Sequence, residues 1–333
     1  MKRRLRKEAH RTASLGAGAR SAGPDPGRSR RAGPLPWALL FSAFGLTFLS
    51  PARAEEPLWG EVASTLGKGF VNVMTRGSYC DTKPFRHHGD AVTMTMERMD
   101  LTTSVEYGLE PDLDLRLRVP YFSQTMHERF AGQSVRHLVS GMGEMQAGAK
   151  WRFWQAMDER HKDEIALFAD LTLPTGDNNL RDEHGALLPA DLQPNSGNPG
   201  ATLGFAANRH TGQGGYWFSS MITGETASRR YRRGEMLELH ASMGRRVRPL
   251  TRPSQIDWMG VAGLHYQQLG KDSALGRTVR DSGGSVLSAE VSFLGSKRTR
   301  GARLGILFPL RTDLGLGHAP PRREIQASFR ASF

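Results

Sequence analysis

Residues 324–333 read EIQASFRASF, and their rhythm decides the fold. Ile325, Ala327, Phe329, Ala331 and Phe333 are apolar, while Glu324, Gln326, Ser328, Arg330 and Ser332 are polar or charged. A period of two sends the two sets to opposite sides of an extended chain, so the segment predicts a β-strand with one apolar and one hydrated face. Alternation by itself leaves open which face meets what.

The same rhythm recurs upstream. In LDLRLRV (113–119) Leu113, Leu115, Leu117 and Val119 oppose Asp114, Arg116 and Arg118. In EMQAGAKWRF (144–153) Met145, Ala147, Ala149, Trp151 and Phe153 oppose Glu144, Gln146, Gly148, Lys150 and Arg152. IALFADLTL (165–173) sets Ile165, Leu167, Ala169, Leu171 and Leu173 against Asp170 and Thr172. Further stretches occupy 200–209, 214–224, 235–247, 257–268, 285–294 and 302–310. Each has about the ten residues that cross a bilayer as a tilted strand. Two earlier stretches complete the set: 67–75 as a first strand, and 91–110 as a long second one whose apolar parity changes between Met96 and Val105. A bulge would shift parity by one residue, and so would a hairpin near Met99 that removes 67–75 from the count. Either route gives twelve strands, even as in bacterial single-chain barrels.

The connections are sorted. With a periplasmic N-terminus the outer loops are 76–90, 121–142, 175–199, 225–234, 269–284 and 311–323, mostly long. The opposite connections, 111–112, 155–163, 210–213, 248–256 and 295–301, are mostly shorter and rich in Gly, Pro, Lys and Arg. This is the topology of outer-membrane barrels. A soluble lipocalin-like barrel shares the period of two but turns its apolar residues inward and typically has eight strands.

Composition separates a leader from the body. The formal charge of +12 would point to nucleic acid if it were clustered on a folded surface. Residues 1–54 hold eleven Lys and Arg against Glu8 and Asp25, however, and the remainder carries only +3, so nucleic acid is not an expected partner. After the basic stretch comes PLPWALLFSAFGLTFLSPARAEEP, whose apolar run from Trp37 to Leu49 has signal-peptide length and is too short to span a membrane as a helix. The small residues of ARA place the cleavage after Ala54, which leaves 55–66 as a periplasmic N-terminal segment and 67–333 as the barrel. The one cysteine, Cys80, rules out an internal disulfide framework and reads as a free thiol in a loop. Phe333, with Phe329 behind it, resembles the terminal aromatic signal that the barrel-assembly machinery of bacterial outer membranes reads. Signal peptide, loop sorting, strand count and terminal aromatic agree on an all-β, antiparallel transmembrane β-barrel in the bacterial outer membrane, with its apolar face on lipid. Turning LDLRLRV over would put Arg116 and Arg118 against lipid at roughly 2–4 kcal/mol each near the midplane.

Four stretches carry a resemblance: YGLEPDLDLRLRVPY, GMGEMQAGAKWRF, ADLTLPTGD and DSGGSVLSAEVSF. They resemble the meta-pathway phenol-degradation-like, transporter-like family of bacterial outer-membrane proteins. In that family a Tyr-Gly-Leu turn leads into a strand ending in Pro-Tyr, followed by a Gly-Leu-Gly-Asp strand and a Leu-Pro-Thr-Gly-Asp strand end. Gly141-Met142-Gly143-Glu144 departs from the usual leucine and aspartate. The resemblance implies an outer-membrane barrel that passes small molecules.

On the lipid-out register the lumen is lined by Arg116, Arg118, Glu144, Lys150, Arg152, Asp170, Glu238, His240, Glu290, Arg303 and Arg330. Eight-stranded barrels are filled by side chains and sixteen to eighteen strands leave a channel. Twelve strands with many long charged residues predict a narrow bore for small solutes, hydrophobic or aromatic ones included, without a cofactor. A closed structural or surface-interaction barrel is the alternative, and an outer-membrane lipid hydrolase the third reading. Catalysis is not expected: His240 and His265, with Ser242 and Ser288, match no lipase spacing, and no GxSxG occurs. His87, His88 and His127 are weak metal candidates in loops, and no metal site is assigned. Arg229, Arg230, Arg232 and Arg233 form an external basic cluster suited to the phosphates of lipopolysaccharide, which with outer-membrane lipid completes the expected partners. Tyr107, Tyr121, Phe122, Trp151, Trp154, Tyr216, Trp217, Trp258 and Tyr266 are candidates for interfacial girdles.

Overall fold

The computed structural model describes residues 57–86, 93–130, 133–181, 185, 187, 193, 195–226, 231–248, 255–315 and 318–333. The predicted signal peptide lies outside them, as do His87, His88, Arg229 and Arg230. Twelve long strands form the wall: β1 Val71–Thr82, β2 Thr93–Glu110, β3 Leu113–Phe130, β4 Gln146–Met157, β5 His161–Thr172, β6 Gly200–Thr211, β7 Gly214–Glu225, β8 Met236–Arg246, β9 Asp257–Leu269, β10 Gly284–Lys297, β11 Arg300–Leu314 and β12 Pro321–Ser332. Each pairs antiparallel with its neighbours in sequence, and β1 pairs with β12 from Asn72↔Ser332 to Thr82↔Pro321, which closes the barrel. Closure gives both end strands of the barrel a partner along most of their length.

The alternation sorts as the lipid-out register requires. Leu115 is 43% exposed and Arg116 beside it 4%. Leu167, Leu171, Phe218, Leu264, Phe293 and Phe329 also face outward, while Asp114, Lys150, Asp170, Glu290 and Arg330 are buried within. Tyr107, Tyr121, Trp151, Trp154, Tyr216 and Trp258 are exposed on the outer surface, but Phe122 and Trp217 are 2% exposed and point inward, so they belong to the core and not to a girdle.

Most strand ends shift by a few residues from the sequence reading, and the larger differences lie in the first third of the barrel. The first strand is Val71–Thr82, which makes Cys80 a half-buried strand residue instead of a loop thiol. The second strand holds an unbroken register with β3 from Thr93 to Gly108, so neither a bulge nor a hairpin lies near Met99. Its parity changes because Met94 and Met96 are apolar on the inward face, where they pack with Phe122, Met126 and Val139. The region 121–142 is not a loop: β3 continues to Phe130 and returns as Gln133–Met142, paired from Tyr121↔Met142 to Phe130↔Gln133. At 143–145 that strand breaks before β4 begins. Residues 173–177 fill the break, Leu173 N–H donating to Met145 O and Met145 N–H to Thr175 Oγ1.

Candidate functional site

The site is the lumen, and the chain occupies it. Residues 57–66, expected as a periplasmic segment, run inside the barrel. Leu58, Trp59, Val62 and Ala63 are all buried. Leu58 and Trp59 pack on Leu307 of β11, Val62 on Trp217, Met259, Val261 and Leu294, and Ala63 on Ala166, Phe168 and Ala206. Every one of these wall residues faces inward, so the plug supplies the apolar cover that an aqueous bore would deny them.

Its backbone is tied down residue by residue. Glu61 N–H donates to Ser219 Oγ at 3.2 Å, Ala63 N–H to Asn208 Oδ1 at 2.6 Å, and Leu66 N–H to both carboxylate oxygens of Asp114 at 3.1 Å. Ser64 Oγ donates to Glu164 at 2.6 Å, and Trp59 Nε1 to Glu324 at 3.4 Å. Irregular backbone within a barrel needs such partners, because a buried unpaired amide costs about 1–3 kcal/mol. Gly60, at φ +80°, lies against β8: a Cβ there would sit 2.5 Å from His240 Nδ1 and 2.8 Å from Ser219 Oγ, so only glycine fits.

The strongest tie is ionic. Arg116 holds Asp170 through two bonds of 2.5 Å and reaches Glu61 with Nη1 at 3.0 Å, while Arg118 also binds Glu61. Arg116, Gly148 and Asp170 stand in one row across β3, β4 and β5. The Arg116–Asp170 pair crosses over Gly148, where a Cβ would meet Asp170 Oδ1 at 2.1 Å. Phe168 stacks beneath the Arg116 guanidinium, 4.7 Å from ring centroid to Cζ. Burial alone would raise the pKa of Glu61, which belongs to no spanning strand, but Arg118 and Arg116 outweigh it and hold the carboxyl well below the usual range.

The other expected lumen residues serve the wall. Lys150 faces Asp114 at 3.5 Å, Arg152 holds Glu164 at 2.7 Å, and His240 Nε2 meets Glu290 at 2.7 Å. Glu238 accepts from Gln267 and lies 3.7 Å from His265, and Arg303 and Arg330 are buried inward. Glu144 departs from the rest: it sits at the break before β4 and accepts from Gly197 N–H and Ser196 Oγ, anchoring the 173–199 connection. Sequence reasoning missed Glu61, Asn208, Ser219 and Phe168. Only a partner inside the lumen gives these residues a role.

Two cavities flank the plug. One of about 210 Å³ lies between it and the β1–β4 wall, lined by Arg76, Glu106, Arg118, Lys150 and Arg303. The other, about 330 Å³, lies toward the long loops and is largely apolar, with Phe85, Met96, Leu269, Val286, Leu307 and Pro309 in its lining.

No three potential metal ligands come together among the described residues. His127 is partly buried on β3 opposite Arg136. His240 and His265 face each other across β8 and β9, with Ser288 of β10 opposite His265; His240 Nε2 is engaged by Glu290 and its Nδ1 lies against Gly60. Of the basic cluster, Arg232 pairs with Glu235 at 3.0 Å and Arg233 donates to Gln193 O, which ties both into the loops.

A family profile described as "Putative MetA-pathway of phenol degradation" matches residues 91–308. No curated protein sequence matches the chain. Among solved structures, the COG4313 outer membrane channel from Pseudomonas putida F1 superposes with a TM-score of 0.61 at 13% identity, covering 81% of this chain and 98% of that one. The β domain of the Bordetella autotransporter BrkA gives 0.47 at 11% identity, covering 80% and 100%. At these identities the likeness to the channel from Pseudomonas is one of fold.

Proposed function

Because the chain belongs to the family described as "Putative MetA-pathway of phenol degradation", we propose that it is an outer-membrane channel for small hydrophobic molecules whose bore is set by its own N-terminal segment. One observation carries this reading: wall side chains fill the lumen only in part, and residues 57–66 are buried in the remainder. Eight-stranded barrels are filled by wall side chains alone, whereas a twelve-stranded wall leaves room for a further segment. A separate segment held by hydrogen bonds and one shared carboxylate can shift without unfolding a strand. The apolar outer belt, the sorted loops and the solved channel of like fold support an outer-membrane location. Export by the 1–54 signal peptide leaves Glu55 and Glu56 ahead of Pro57 in the mature chain.

Planar-bilayer recording of the refolded mature protein tests the proposal. Discrete openings of small conductance are expected. Silence under all voltages, with intact insertion, would favour the closed barrel, and lipid turnover in the same preparation would favour the hydrolase.

A further inference from the structure

The wall is not paired to the same height all round. The β11–β12 ladder runs from Arg300↔Ala331 to Leu307↔Glu324 and stops. Above it β11 continues to Leu314 held by β10 alone, while Pro321 and Arg323 of β12 are held by β1 alone. Among the described residues no backbone hydrogen bond joins the two strands beyond this rung. Pro309 and Pro321 flank the opening, and neither has an N–H that would be left without a partner. The β11 side of the opening is apolar outside, where Phe308 and Leu310 face outward at 44% and 61% exposure, as side chains in contact with lipid would. An unpaired edge within a membrane is tolerated where it lines a cavity. The 330 Å³ cavity is lined by inward-facing Cys80 and Glu324 and also by Arg323, which shares the outward parity of Ile325. Leu314, Ala319 and Pro321 at the rim of the opening line it as well, so the cavity abuts the unpaired stretch.

We infer that the opening between β11 and β12 is a lateral entrance, through which small amphipathic molecules pass from the outer leaflet into this cavity. The chemical class follows from the lining: apolar side chains such as Phe85, Met96 and Val286 favour a ring or short chain, and Gln124 and Gln267 together with the charged Arg98 and Glu324 offer partners to a polar end. About 330 Å³ lies at the small end of ligand pockets. Leu307, which lines the cavity, packs on Leu58 and Trp59, so a molecule entering here meets the plug. The inference rests on the channel reading, and deepens it by giving the solute a route and a chemistry.

Cys80, the chain's one cysteine, reports on the cavity from inside. The test compares its labelling in native outer membranes by N-phenylmaleimide, which partitions into the bilayer, and by the sulfonated counterpart, which does not. Labelling by the apolar reagent is expected to be at least tenfold faster, and benzyl alcohol should slow it. Leu314→Trp and Ala319→Trp, which fill the opening from above, should lower the apolar rate about tenfold and leave the sulfonate rate unchanged. Equal rates for the two reagents, equal slowing of both by the tryptophans, or a Cys80 that reacts only after unfolding would overturn the entrance. If a tryptophan variant fails to insert, the reagent ratio and the benzyl alcohol competition in the wild type decide alone. Conductance in the same membranes separates the two claims: conductance without reagent preference discards the entrance and keeps the channel. Reagent preference without conductance does the reverse.

Discussion

Arg116 does two jobs with one guanidinium, clasping Asp170 in the wall and Glu61 in the plug. Because both carboxylates are largely out of water, removing Asp170 leaves Arg116 under-compensated. Breaking a buried pair in this way typically costs about 3–5 kcal/mol. Asp170→Ala should therefore destabilise the barrel by that order in a urea titration of refolded protein, whereas Glu61→Gln should spare the wall and loosen only the plug. A urea midpoint unchanged by Asp170→Ala would show that the clasp is not what holds β3 to β5. The pH dependence has a definite sign. A carboxyl whose pKa is depressed in the folded state contributes stability above its unfolded value, near 4.3, and loses it only as pH falls through the folded value. Acidification from pH 7 to pH 5 should thus leave the Glu61 contribution to plug docking intact, read as equal protection of residues 57–66 from added protease. Release of the segment at pH 5 in the wild type but not in Glu61→Gln would contradict this. Arg116, Gly148 and Asp170 were each visible in the sequence, in three of the stretches that carry the family resemblance. Their meeting was not visible, because strand register is set by pairing partners that alternation does not name.

At the scale of elements, period-two alternation located nearly every strand, since lipid outside and charge inside impose opposite chemistry on successive residues. It failed where the inside is apolar. Met94, Met96, Phe122 and Met126 cluster within the long-loop end, which mimicked a parity shift in β2 and hid the Gln133–Met142 return strand. The plug was missed for a related reason. Residues 57–66, PLWGEVASTL, have no period, and Leu58, Trp59, Val62 and Ala63 find their apolar partners only once the barrel has closed around them. The alternation itself is testable through Leu115 and Leu117, which face outward. Leu115→Arg with Leu117→Arg places two charges on lipid at about 2–4 kcal/mol each near the midplane, and insertion followed by heat-modifiable mobility should fall steeply. Leu115→Phe with Leu117→Phe should insert normally. Normal insertion of the arginine pair would mean that the outer face of β3 does not meet lipid.

The molecule as a whole is a closed wall with a separable filling. Twelve strands enclose more space than their inward side chains occupy, and the chain folds its own N-terminal stretch into the remainder. Wall and filling differ in what holds them. The wall rests on backbone ladders that join each strand to the next. The filling rests on hydrogen bonds of the kind seen at Ala63 and Ser64, on the buried Leu58, Trp59, Val62 and Ala63, and on Glu61. Gly60 is where that filling is most easily dislodged. Gly60→Val would drive a branched side chain into His240 and Ser219 in a backbone conformation that β-branched residues avoid. The most direct test of the plugged-channel account is single-channel conductance of the mature wild type against Gly60→Val, both refolded and inserted equally. The account predicts small openings in the wild type and a severalfold larger conductance in the variant. Identical conductance in the two, or silence in both, would contradict it.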